Sequence, residues 1–474
     1  MKPYDAVIVG GGPNGLAAAI RLANRGLSTL VIEAEDSVGG GTRTAELTQP
    51  GFRHDVCSAI HPMAAASPFL SSLPLDRHGL EWITPPVQLA HPLDERPAAC
   101  LYRSLDRTAD ELEADGPAWR KLVGPLADHW ESMAPDLMAP LSLLPAHPLR
   151  MAAFGLKALR PAESLALSQL QTVQGKALFG GLAAHGLLPF DRLATSAIGL
   201  VLGAAAHVTG WPLPRGGSHT ITRAMASYLK SLGGEIRTGW PVERLEELPG
   251  GRVTLFDLTP RQVLDIAGDA IPSAYREKLK AFRYGAGVFK LDLALDGPIP
   301  WRDERCRRAG TVHLGGELQE MAAAERETAD GGHPDRPYVL LAQQSLFDET
   351  RAPEGKHTCW AYCHTPNGST VDMSEAILKQ IERFAPGFRD LVIGTHAMNA
   401  MDMQAYNRNY IGGDINGGSA ELGQLFRRPA RFMDPYRIPG GPLFFCSSST
   451  PPGGGVHGMC GFHAAGSALR YLGV

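Results

Sequence analysis

Residues 4–33 read YDAVIVGGGPNGLAAAIRLANRGLSTLVIE, and the order of their parts decides the fold. Residues 4–9 form an apolar run suited to a buried strand. Gly10, Gly11, Gly12, Pro13, Asn14 and Gly15 follow, then the small-residue helix LAAAIRLANRG, then a second apolar run that stops at Glu33. Strand, GxGxxG turn, helix, strand and acid together make a dinucleotide-binding unit. Gly10 makes the tight turn, Gly12 lets the backbone approach a diphosphate, and Gly15 lets the helix pack closely on the strand. The helix start adds free N–H groups and a partial positive charge for the phosphates. Glu33 falls 23 positions after Gly10, where a carboxylate can accept from ribose hydroxyls, and Ala34 is grouped with it. Glu33 and Glu35 together would repel a 2′-phosphate, which disfavours NADP.

The chain continues AEDSVGGGTRT over residues 34–44. This second glycine run brings Gly40, Gly41, Thr42 and Arg43 toward the same phosphates. It resembles the glycine-doublet motif of the flavoprotein clan that includes amine oxidases, phytoene desaturases and Rab GDP-dissociation inhibitors. Ser37 and Gly41 stand where that motif usually carries Arg, and only Thr44 matches its end. Phosphate neutralisation is thereby left to backbone dipoles and Arg43.

Near the other end, LFFC (residues 443–446) reads as a buried strand, followed by SSSTPPGGGVHGMCGFHAAGSALRYL. Pro451, Pro452 and the glycines at 453–455 force an open loop, and a helix is expected from about residue 456 to 472. Gly458, Gly461, Ala464, Ala465 and Ala468 crowd that helix, so something bulky must approach it closely. This segment resembles the C-terminal flavin-contacting motif of the phytoene desaturase and retinol saturase relatives. So do residues 207–245 and NYIGGDINGGSAELGQLFRRP at 409–429. The resemblance implies an FAD-dependent oxidoreductase of the phytoene desaturase/retinol saturase-like family. It also implies FAD as cofactor, with Gly455, Val456 and His457 beside the flavin and Val242 meeting the adenine through its backbone. Two departures stand out: residues 243–260 are compressed, and Cys446–Ser447 replaces a common Gly-Asp pair.

The implied fold is α/β: a Rossmann-like FAD-binding domain with an interleaved α+β substrate domain, a mixed sheet capped by helices. The FAD-binding domain takes residues 1–70, 207–270 and 430–474, and the substrate domain 71–206 and 271–429. Residues 110–205 read as mostly helical with proline breaks. Residues 284–297 alternate as a strand with one wet face, residues 338–343 and 358–364 read as further strands, and residues 315–337 as a solvated helix and loop.

The 474 residues carry a formal charge of −4, with 44% hydrophobic and 20% charged residues, which suits a globular protein and excludes nucleic acid as the main partner. Seven cysteines, an odd number in a long chain, point to a reducing cytoplasm rather than a disulfide scaffold. Cys359, Cys363 and His364 lack a second ligand cluster, so they read as core residues and no metal site is expected. No leader peptide is read at the start. The uncharged stretch 193–214 is broken by Pro212 and Pro214 and reads as a buried helix rather than a membrane span. Residues 138–159 read as a surface helix, with peripheral membrane contact as the other reading. Oligomeric state is not legible.

His457, in the loop-to-helix turn, is the candidate catalytic group: a proton donor or acceptor, or a hydrogen-bond partner of the flavin. Its other reading is a helix-start histidine facing solvent or backbone. His185, His207, His219 and His364 read as packed or surface residues. Asp55 is expected to orient a nearby loop, Lys290 to sit on the solvated face of its strand, and the basic run 427–431 to be a solvated loop. The favoured function is hydride transfer between a C–C bond of an apolar, polyene- or isoprenoid-like substrate and flavin N5, as desaturase or saturase. An apolar tunnel lined by residues 178–206 would admit it. The alternatives are an amine or alcohol oxidase of the same clan, or a non-catalytic escort that binds lipid or prenyl groups.

Overall fold

Tyr4–Val9 (β1) and Thr29–Ile32 (β2) pair in parallel, with the helix Pro13–Ala23 crossing between them. The computed structural model describes residues 4–140, 145–430 and 433–474. Four more strands extend this sheet: β9 (Glu235–Arg237), β10 (Gly251–Phe256), β16 (Arg437–Ile438) and β17 (Leu443–Phe445). The order is β16-β17-β10-β1-β2-β9, parallel except for β16. A parallel sheet covered on both faces must be apolar throughout, and Ala6, Val7 and Ile8 are fully buried.

The opening helix packs against the closing helix Met459–Leu472, and glycine makes the contact. A Cβ on Gly15 would stand 2.0 Å from the carbonyl oxygen of Gly10, and one on Gly461 would stand 1.8 Å from that of Asn14. Only residues without a side chain allow helix, turn and helix to lie this close. The closing helix starts at Met459, a little later than the sequence suggests, because Gly458 adopts φ +69° at its cap.

Seven strands form a second, mixed sheet: β6 (Val87–His91), β7 (Ala99–Leu101), β11 (Gly287–Leu295), β12 (Ala309–Leu314), β13 (Val339–Ala342), β14 (His357–Thr365) and β15 (Val392–Met398). Their order is β15-β11-β14-β13-β12-β6-β7, with β12 and β6 parallel and the other pairs antiparallel. The first sheet draws only on residues in 1–70, 207–270 and 430–474, and the second only on 71–206 and 271–429. Two short ribbons complete the strands: β3 (Thr44–Glu46) with β4 (Arg53–Asp55), and β5 (Trp82–Ile83) with β8 (Leu213–Pro214). The buried helices Val173–Ala184 and Ser196–Val208 pack on each other, Gly199 against the ring of Phe179.

Three surface expectations need correction. β11 has no wet face: all nine of its residues are buried, because β4 and the helix Ala400–Tyr406 cover the face that carries Lys290 and Asp292. The helix Leu318–Ala329 is solvated only on its outer side. Its Glu325 is 4% exposed and binds His364 Nδ1 at 2.8 Å. In the basic run 427–431, Arg428 is buried and donates to the carbonyls of Asn416 and Gly418, while Arg431 lies outside the described residues. On the surface, the helix Pro148–Ala158 leaves Leu149 85% and Leu156 79% exposed; of residues 138–159, positions 141–144 lie outside the described residues. Among the described residues no helix is long and apolar enough to cross a membrane.

Candidate active site

β1 and β10 end side by side, and beyond their ends lies a cavity of about 280 Å³. Position beyond the carboxyl ends of a parallel sheet is where open α/β folds hold ligands. Gly12, Pro13, Asn14, Gly40, Gly41, Gly455 and Val456, drawn from both ends of the chain, meet in its wall. The chemistry of this end suits a dinucleotide. Asn14 Oδ1 is buried with no hydrogen-bond partner among the described residues, and a Cβ on Gly12 would fill the cradle 2.7 Å from Asp257 Oδ2.

Other expected residues stand around this wall rather than in it. Glu33 is buried, and its carboxylate accepts from the N–H groups of Gly11 at 2.8 Å and Glu35 at 3.0 Å. It thereby ties the end of β2 to the glycine turn that follows β1. Arg43 pairs with Glu33 at 3.3 Å instead of standing free for phosphate. Thr42 is buried; its hydroxyl donates to the Gly39 carbonyl at 2.8 Å and contacts that of Thr222 at 3.1 Å. Val242 packs with β1 and β2 residues in the core, Ala34 is exposed beside Glu33, and Gly10 and Gly15 build the turn beneath the cavity.

His457 does not line the cavity. It is 2% exposed, its Nε2 meets the Gly453 carbonyl at 3.2 Å, and its Nδ1 accepts from the Met459 N–H at 3.0 Å. Burial pushes its pKa down to about 4. The ring closes its own turn and caps the helix start.

Lys290 corrects its expected place. It is 1% exposed, lines the cavity beside Trp360 and Tyr362, and forms an ion pair with Asp292, which is itself fully buried. His54 and His396 approach Asp292 at 3.6 and 3.7 Å. Alternation along β11 does place Lys290 and Asp292 on one face. What pattern alone does not reveal is that the cavity and β4 take the place of solvent there.

Asp55 holds the second glycine run in place. Its carboxylate accepts from Thr44 Oγ1 and the Ser218 N–H, each at 2.7 Å, and from Arg351 Nη2 at 2.6 Å. Burial opposes its ionisation, but the Arg351 guanidinium and these hydrogen bonds outweigh that, so its pKa is lowered. Arg351, also fully buried, was missed because it lies 296 residues away along the chain.

On the opposite wall, His185 reaches the cavity from the end of its helix, with Nε2 3.1 Å from His313 Nε2. Burial pushes His185 down to about 3 and His313 well below its ordinary value, so both rings are neutral. Leu187, Ile198 and Leu202 continue this wall, which is the lining expected from residues 178–206.

The family described as "Flavin containing amine oxidoreductase" matches residues 14–458. Pyridine nucleotide-disulfide oxidoreductase domain-containing protein 2 of Mus musculus is 28% identical, over all of this chain and 94% of its own length. Phytoene dehydrogenase of Streptomyces griseus is 26% identical, over 77% of this chain and 74% of its own. A putrescine oxidase structure with putrescine bound shares the fold, with a TM-score of 0.65, 18% identity and 99% of each chain covered.

Proposed function

The chain belongs to the flavin-containing amine oxidoreductase family, and from that premise we propose that it is an FAD-dependent oxidoreductase acting on a C–C bond of an apolar, polyene- or isoprenoid-like molecule. One observation carries the choice of substrate class. Among the described residues that line the cavity, the only carboxylate is Asp257, at the glycine-turn end. The substrate end offers Ile60, Met63, Ile198, Leu202 and Leu340, with no anion to pair a substrate ammonium. The similarity to a phytoene dehydrogenase over 77% of this chain supports the same reading.

Gly12, Asn14, Gly40 and Gly41 would hold the diphosphate of FAD, with Glu33 at the ribose. Bound FAD supplies hydride transfer at its N5. The protein's own share is to orient the substrate along the apolar wall, exclude water and manage the accompanying proton. His185 is an imidazole of that wall, and with His313 behind it at hydrogen-bond distance it can pass a proton on, although burial makes it a weak base. Lys290, paired with Asp292, holds a fixed positive charge in the wall.

Amine oxidation is the second reading, favoured by Trp360 and Tyr362. Their rings meet edge-on at 5.3 Å in the cavity wall and so offer a neutral amine an aromatic surface on that side. The test is anaerobic mixing of the purified, flavin-loaded protein with polyenes, amines and alcohols, while following loss of the oxidised flavin's visible absorbance. Bleaching by polyenes supports the proposal. Bleaching by amines alone overturns it.

A further inference from the structure

We propose that Asp257 enters the cofactor site as a neutral acid and donates a hydrogen bond from its carboxyl O–H to a phosphate oxygen of the dinucleotide, which couples FAD binding to proton uptake at this side chain. This rests on the FAD reading of the cavity given above.

Asp257 follows β10 directly. Its N–H donates to the Val9 carbonyl at 2.8 Å, which sets it level with Gly10 at the end of β1. Its side chain turns over the glycine turn. Oδ2 accepts from the Gly15 N–H at 2.9 Å, inside the first turn of the opening helix. Pro13 has no N–H to offer, so the carboxyl occupies a position where a diphosphate would be expected to find a donor. Asp257 is 7% exposed and lines the cavity, and its Oδ1 has no hydrogen-bond partner among the described residues.

No cation among the described residues pairs with it. From the opening helix it meets only the Gly15 N–H. Just past the end of β2, Glu33 adds the charge of a second carboxylate. From the closing unit it faces the thiols of Cys446 and Cys460, which burial raises and keeps neutral. From the 409–429 segment, Asn409 Nδ2 donates to its backbone carbonyl at 3.0 Å. Arg43 and Arg428 are committed elsewhere, Arg43 to Glu33 and Arg428 to the carbonyls of Asn416 and Gly418. An ionised Asp257 would therefore confront a diphosphate with like charge and no compensation. A neutral acid instead keeps Oδ2 as acceptor for Gly15 and offers one O–H outward. Burial acts in the same direction and pushes its pKa up to about 8.

The experiment titrates flavin-stripped protein with FAD between about pH 6 and pH 9, by flavin fluorescence and by calorimetry in buffers of different ionisation enthalpy. The expected Kd is flat at the acid end and weakens toward a tenfold loss per pH unit once Asp257 ionises. Proton uptake should rise over the same range from near zero toward about one per FAD. Asp257→Asn, a neutral isostere, should bind FAD with neither pH dependence nor proton uptake. A wild-type Kd that is flat to the alkaline end with no proton uptake overturns the inference, as does an Asp257→Asn curve that matches wild type. If the variant fails to fold, the wild-type calorimetry decides alone. Failure to bind FAD at any pH would refute the cofactor reading itself, whereas binding without proton linkage refutes only the role of Asp257.

Discussion

Replacing Lys290 with Met tests whether the charge in the cavity wall is held by its partner. Lys290 is 1% exposed and Asp292 0%. Without the ammonium, Asp292 is left buried, and among the described residues the remaining ion-pair partners are His54 Nδ1 at 3.6 Å and His396 Nδ1 at 3.7 Å. An uncompensated buried charge of this kind costs about 3–5 kcal/mol. His54 gives little relief near neutral pH, because burial holds it down at about 4. The double variant Lys290→Met/Asp292→Leu removes both charges and should return to within about 1–2 kcal/mol of wild type. Urea unfolding followed by tryptophan fluorescence, read as a double-mutant cycle, measures both quantities. A Lys290→Met cost under about 1 kcal/mol, or a double variant as unstable as the single one, would refute the idea of a tightly held pair.

Two further outcomes follow from contacts described above. Gly461→Ala sets a methyl group 1.8 Å from the Asn14 carbonyl, so it should cost at least about 1–3 kcal/mol and weaken FAD binding severalfold as the opening helix shifts. Denaturation and a flavin titration check both effects, and an unchanged affinity counts against the cradle. Arg351→Met strands Asp55 and should cost about 3–5 kcal/mol at neutral pH. In wild type the Asp55 pKa is lowered, so its contribution is present above the unfolded carboxylate value and lost as pH falls through the folded one; acid denaturation of the variant should show a shallower loss.

The opening unit was legible because its information is local. Strand, turn, helix and acid lie within thirty residues, and each glycine has a steric task that its neighbours reveal. The closing unit could be read for the same reason. Side chains whose setting depends on distant segments could not be. Lys290 reads as solvated until β4, 230 or more residues earlier, covers its strand, and Arg351 has no local signal that it meets Asp55. His457 sits in the expected turn, but the loop closes on its ring so that both nitrogens are used locally. Asp257 follows a strand that was recognised only as compressed. Its meaning appears when parallel pairing sets it beside Gly10.

The contact between the opening and closing helices also bears on biosynthesis. The apolar flank of the helix that ends at Ala23 has to wait for its partner at Met459 to leave the ribosome. At about 5–20 residues per second, that interval is roughly 20 to 90 s, during which the nascent chain carries a greasy surface with nothing to cover it. Translation speed and chaperone supply, as much as equilibrium stability, should therefore govern how much properly assembled protein a cell obtains.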